Sequence, residues 1–166
     1  PESLGDPTVT QIDNDLDYIA SNYGASPGYL RVNGSPVLFV YADGADACGM
    51  ADRWTQANAS RFFLVLKVFA GYRNCVSQPD SWHQYSPAVA RDRQAGYSFS
   101  ISPGFWRPDE ASPRLARDLT RWVSDVAAMK ASGDPWQLVT TWSEWGEGTI
   151  IEPAQEWGTA YLDALA

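Results

Sequence analysis

Residues 136–153 read WQLVTTWSEWGEGTIIEP, and the joint inside that stretch decides the fold. Residues 136–142 are almost all apolar, aromatic or β-branched, which is how a strand buried on both faces looks. The chain then turns acidic and glycine-rich, and Pro153 sits where a helix can begin. Three more apolar runs lie upstream: PVLFVY at 36–41, FFLVLKVF at 62–69 and YSFSI at 97–101. Their starts fall roughly 26 to 39 residues apart, near the ~30 residues of a βαβ unit.

Helical patterns occupy the intervals. Ile12, Leu16, Ile19, Ala20 and Tyr23 keep helical spacing, with Thr10 or Asp13 as the cap. Met50, Trp54 and Ala57 share one face of a helix over 46–59. A short helix is expected over 87–94. The longest is expected over 112–132, with Ser112 as N-cap, Pro113 at the first position and Gly133 as terminator. Its buried side would carry Leu115, Leu119, Trp122, Val123, Val126 and Met129. A last helix from Pro153 would bury Trp157, Tyr161, Leu162 and Leu165.

Alternating strands and helices imply an α/β fold with a parallel sheet. A doubly wound open sheet and part of a (β/α)8 barrel both fit. No glycine-rich phosphate fingerprint follows the first strand, which weakens a nucleotide-binding reading. The chain has 166 residues and four or five strands, whereas a full barrel takes about 250 residues and eight. The expectation is a single domain over 1–166 covering about the C-terminal half of a barrel. Four strands leave sheet edges and an apolar face uncovered. The partner expected there is the N-terminal half, as a second segment or chain. The opening residue is Pro1 rather than Met, which fits a start inside a longer product.

Hydrophobic residues make up 45% of the chain and charged residues 19%, with a net charge of −8. That supports a core and argues against nucleic acid or anionic membrane as partners. No apolar run approaches the ~18 residues of a membrane helix. Eight Trp, eight Tyr and six Phe exceed what packing of a small domain requires, and aromatic faces suit carbohydrate. Cys48 and Cys75 each follow an apolar run. Either they are bridged across neighbouring strand ends, which implies an oxidising and so extracytoplasmic setting, or they are two unrelated buried thiols. Asn58-Ala59-Ser60 is a glycosylation sequon, meaningful only in a eukaryotic secretory setting.

In α/β folds with parallel strands, sites form at the carboxyl ends of the strands. Those ends carry Tyr41 and Asp43; Tyr72, with Trp82, His83 and Tyr85 beyond it; Trp106; and Trp142, Glu144, Trp145 and Glu147. Cleavage of a sugar bond requires two carboxyl groups beside it and faces to hold the ring. Glu144 and Glu147 are the pair: one solvated carboxylate as base, the other raised in pKa by an apolar, tryptophan-lined setting to act as acid. The plain alternative is two solvated loop carboxylates. Strand-end position, flanking tryptophans and permissive glycines favour chemistry. Asp43, Tyr41, Trp82, His83, Trp106, Trp142 and Trp145 are the candidate substrate contacts, each weighed against turn, core or rim packing. Glu152 reads as a helix-end charge. The acidic segment lacks the Asp/Asn/Gly ladder of a calcium loop, there is no His/Cys cluster for zinc, and no metal is expected.

WSEWGEGTIIEP resembles the W-N-E-W-x-E-G-T-x-I-E-P segment of glycoside hydrolase family 99 and its bacterial relatives. Residues 29–41, YLRVNGSPVLFVY, are similar to that group's strand entry, and Ser102-Pro103-Gly104-Phe105 to its next-to-last strand end. The resemblance implies a (β/α)8 TIM barrel, glycosidase action on α-linked glycans and no metal or organic cofactor. Glu144 then matches the residue that assists the sugar's own 2-hydroxyl, and Glu147 matches the acid/base on the leaving group. Ser143 replaces the family's usual Asn, and Gly146 the His of the mannosidases. A non-catalytic glycan-binding domain on the same barrel is the alternative, and an open-sheet domain with no carbohydrate role is a third. The expected location is secreted or extracytoplasmic.

Overall fold

The computed structural model describes residues 6–42 and 44–166. The chain is mixed α/β and divides into two compact units, 1–83 and 84–166.

In the first unit, helix α1 (Val9–Ile19) starts at Thr8, whose side chain accepts from the Gln11 backbone while Gln11 reaches back to Thr8. This capping box leaves no role for Thr10 or Asp13 as caps. Ile12 and Leu16 are its buried residues. Strands β1 (Arg31–Val32) and β2 (Ser35–Val40) form a hairpin, and β2 runs parallel to β3 (Phe63–Lys67). Helix α2 (Cys48–Asn58) makes the crossover and buries Met50, Trp54 and Ala57, as its spacing requires. A third parallel strand, β4 (Ser81–His83), follows β3. Three residues are too short to show a period, so the sequence reads as a loop there. Cys48 and Cys75 are joined by a disulfide. The two cysteines follow β2 and β3, which are adjacent and parallel, so both leave the same end of the sheet.

In the second unit, β5 (Arg91–Gln94) pairs antiparallel with β6 (Ser98–Ile101), which runs parallel to β7 (Trp136–Val139). The helix expected over 87–94 is therefore an edge strand. Arg91 and Arg93 on one side of it bind the buried carboxylates of Asp125 and Asp134, and burying those charges demands such partners. Helix α3 (Leu119–Ala131) covers the sheet and buries Trp122, Val126 and Met129 against Phe99, Ile101, Ile151 and Tyr161. Its true cap is Asp118, whose side chain accepts from the Arg121 N–H. Residues 112–118 are not helical, because Leu115 exchanges both backbone hydrogen bonds with Phe105. Leu119 and Val123 lie off the face of α3 that carries Trp122, Val126 and Met129, and are exposed rather than buried. The last helix, α4 (Ala160–Asp163), also starts late. Residues 154–158 close a tight turn, bonded Ala154 to Gly158 in both directions. Among the described residues, no helix is long and apolar enough to cross a membrane.

Candidate functional site

The loop after β7 closes on itself. Thr141 N–H donates to the Thr149 carbonyl at 2.9 Å and the two threonine hydroxyls meet at 2.8 Å, which fastens the neck. Farther along, the N–H groups of Ile151 and Glu152 return to the carbonyl of Trp142. Glu144 is fixed from both ends: its N–H donates to the Thr141 hydroxyl, and its carbonyl accepts from Thr149. Its carboxylate accepts from the Gly146 N–H at 3.1 Å and so caps the single turn Trp145–Glu147. A Cβ at Gly146 would stand 3.0 Å from that same carboxylate oxygen. The small residue thus leaves the carboxylate where it is.

Glu147 is half-buried while Glu144 is exposed. The Tyr85 hydroxyl donates to Glu147 Oε2 at 2.8 Å. In the sequence Tyr85 stands only as a residue beyond a strand end, and 62 residues separate it from Glu147; no local spacing signals that contact. The Glu147 carbonyl accepts from the Trp106 N–H at 2.9 Å. Gly148 follows with φ +63, its position for a Cβ only 3.1 Å from the Trp106 carbonyl oxygen. Glycine is needed there both for the positive φ and for the close approach.

Trp106, Trp142 and Trp145 are 54%, 53% and 55% exposed, so each keeps a face for a ligand. Trp145 lies near-parallel to Trp157 at 6.5 Å and donates its indole N–H to Glu152. Glu152 is therefore a tether for Trp145 and no helix cap, since α4 begins eight residues later. Arg117 stacks on Trp157 at 4.1 Å and donates to the carbonyls of Gly148 and Ile150. Burial pushes its guanidinium down from the ordinary value, with Tyr161 and Glu156 opposing.

The other candidates lie in the first unit. Asp43 lies outside the described residues. Tyr41 is 58% exposed just past β2, with the Lys67 ammonium 5.5 Å from its ring centroid. His83 ends β4 and is buried; its Nε2 meets the Val40 carbonyl at 2.9 Å. Burial holds its pKa below 6.5, outweighing the carbonyl's raising effect, and Lys67 lowers it further. Trp82 is no platform. It is fully buried, packed on Tyr72 at 4.9 Å and bonded to Gln78, because strand β4 turns it into the core. Tyr72 is buried with it. Among the described residues, no group of three or more His, Cys, Asp or Glu is placed to hold a metal ion.

With this geometry in view, comparison with solved structures defines the fold: it is TIM-barrel-like α/β and resembles that of glycoside hydrolase family 99 structures. The chain matches the GH99 endo-α-mannosidase of Bacteroides thetaiotaomicron in complex with bis-tris-propane over 90% of its own length, with TM-score 0.67 and 20% identity. A further structure of that endo-α-mannosidase matches with TM-score 0.67 and 19% identity. The chain covers 57% and 54% of those two chains. Residues 109–165 match the family described as glycosyltransferase WbsX. Uncharacterized protein WxcX from two strains of Xanthomonas campestris pv. campestris is 25% identical over 92% of this chain. The chain spans about a third of the length of those curated relatives, 30% in each case.

Proposed function

We propose that this protein is a glycoside hydrolase acting on α-linked glycans, with Glu144 as base and Glu147 as acid. The observation that supports the reading best is the self-fastened 141–149 loop, which carries both carboxylates and keeps exposed tryptophans beside them. In the resemblance-based route, Glu144 takes the proton of the substrate's 2-hydroxyl. That oxygen attacks the anomeric carbon, the glycosidic bond breaks, and Glu147 protonates the departing oxygen. Water then opens the intermediate, returning a proton to Glu147 as the 2-hydroxyl regains its own from Glu144. Tyr85 holds one Glu147 oxygen and so orients the group through the cycle. In this reading Tyr41, Asp43 and His83 remain candidate glycan contacts, and the proposed partner is an N-terminal half as a second segment or chain. The Cys48–Cys75 disulfide supports an extracytoplasmic location.

The test is release of sugar from α-linked manno- and gluco-oligosaccharides. Glu144→Gln and Glu147→Gln should each lower turnover by roughly 10²- to 10⁴-fold, without changing the thermal midpoint. Turnover that survives both substitutions overturns the assignment.

A second reading is glycosyl transfer, favoured by the WbsX match over residues 109–165, which include both glutamates. An acceptor hydroxyl then takes the place of water. A labelled oligosaccharide acceptor separates the two: elongated product means transfer, free sugar means hydrolysis. Binding with neither product points to a non-catalytic glycan-binding domain, with Ser143 and Gly146 as the departures to restore first.

A further inference from the structure

Tyr41, Lys67 and His83 stand side by side in the first unit, at the carboxyl ends of three adjacent parallel strands. Val40 is level with Leu66, and Lys67 with His83, so Tyr41, one residue past β2, is level with both. Residues at one level of a parallel sheet share a face. The contacts agree: the Lys67 ammonium lies 5.5 Å from the Tyr41 ring centroid, and the His83 ring meets Phe39 edge-on at 5.3 Å.

Three features distinguish this face from an ordinary sheet end. First, Lys67 is half-buried, and among the described residues no oxygen accepts from its ammonium. Every other lysine and arginine side chain has an oxygen acceptor: a carboxylate, a carbonyl or, for Arg73, the Tyr72 hydroxyl. A cation taken partly out of water with no acceptor carries a desolvation cost that an anion would offset. Second, His83 offers the opposite chemistry. Its Nε2 is bonded to the Val40 carbonyl, which can only accept, so Nε2 carries the hydrogen and Nδ1 of the neutral ring is an acceptor. Among the described residues nothing bonds to Nδ1. Third, the exposed Tyr41 ring sets an aromatic face beside the cation.

These groups specify a ligand with a carboxylate for Lys67, a hydroxyl hydrogen for His83 and an apolar ring face for Tyr41. One negative charge balances one lysine. A dianion such as phosphate brings excess charge, which the net charge of −8 opposes, and it has no hydrogen to give Nδ1. A neutral sugar leaves Lys67 uncompensated.

We propose that this strand-end cluster binds a hexuronate unit, its carboxylate accepting from Lys67 Nζ and one hydroxyl donating to His83 Nδ1, with the pyranose ring against Tyr41. Lys67 is then the residue that selects an acidic glycan. The site rests on the glycan-acting reading for its place in a larger substrate, but its binding is measured without turnover.

The experiment is a ligand-observed saturation-transfer titration of the protein with methyl α-D-glucopyranosiduronate. Methyl α-D-glucopyranoside is the neutral match, and inorganic phosphate is added as a competitor. The uronoside should bind roughly tenfold more tightly than the neutral glycoside, the scale of one hydrogen bond to a charged group. Lys67→Met keeps an unbranched apolar stem without the charge, and it should abolish that preference. A second measurement needs no variant. The chain has two lysines, Lys67 and Lys130, so amine acetylation read by mass spectrometry compares them directly. Saturating uronoside should slow acetylation of Lys67 severalfold and leave Lys130 unchanged. The site is overturned if the uronoside does not bind, if the neutral glycoside or phosphate binds as tightly, if the preference survives Lys67→Met, or if Lys67 is not protected. The two readings fail separately. A uronoside preference that depends on Lys67, with no cleavage of any α-linked oligosaccharide, removes the hydrolase and keeps the site. Cleavage with no uronoside preference removes the site alone.

Discussion

At the residue scale, two positions show how side chain and backbone chemistry meet at this loop. Gly148 combines positive φ with an approach to the Trp106 backbone that a Cβ would obstruct at 3.1 Å. Gly148→Ala should cost about 1–3 kcal/mol and shift the loop that carries Glu147. A urea midpoint combined with indole fluorescence checks both; an unchanged midpoint contradicts the strain argument. His83 is buried beside Lys67, and its pKa lies below 6.5. A lowered folded-state value means that the unfolded chain takes up the proton first as pH falls. Stability conferred by the neutral ring is therefore complete above about pH 6.5 and declines below it. His83→Gln should flatten that decline, as read from urea midpoints at pH 8 and pH 5. Parallel pH curves for the two proteins would contradict it.

At the element scale, the 112–118 segment decides what surrounds the motif. Ser112 and Pro113 carry the usual marks of a helix start, yet Leu115 is bonded to Phe105 and Arg117 to the carbonyls of Gly148 and Ile150. Tertiary hydrogen bonds outcompete local propensity here, which is the usual order of strength. Asp118→Ala should then cost about 1 kcal/mol through loss of the α3 cap, while Ser112→Ala should change stability by less than about 0.5 kcal/mol. Equal effects in thermal melts would contradict the later start. The same competition explains Glu152, whose carboxylate goes to Trp145 because the helix it was expected to cap begins at Ala160. Elements with long apolar periods were legible. The 136–139 strand, α2 and the burial of Trp122, Val126 and Met129 on α3 follow from pattern alone. Strand β4 and strand β5 were not, since one is three residues long and the other, RDRQ, has no apolar alternation.

At the scale of the whole molecule, the disulfide is the clearest global constraint. Cys48 and Cys75 are 27 residues apart, and closing a loop of that size in the unfolded chain is worth about 3.5 kcal/mol in the chain-entropy account. Reduction, or Cys48→Ala with Cys75→Ala, should lower stability by roughly that amount. Hydrogen exchange should speed up between β2 and β4, the part of the first unit the bridge ties. Unchanged exchange there would show that packing alone holds this unit.

The sequence by itself determined the α/β class, much of the apolar core and the Glu144–Glu147 motif. These follow from short-range quantities: apolar runs, helical spacing and glycine beside acid. Only the tertiary structure decided that Tyr85 grips Glu147, that Trp82 is core while Trp106 and Trp145 show their faces, and that Arg117 meets the loop carbonyls. Those outcomes depend on which groups find partners across tens of residues. A hydrogen bond or a buried face is chosen by what arrives opposite it, and local pattern does not encode that arrival.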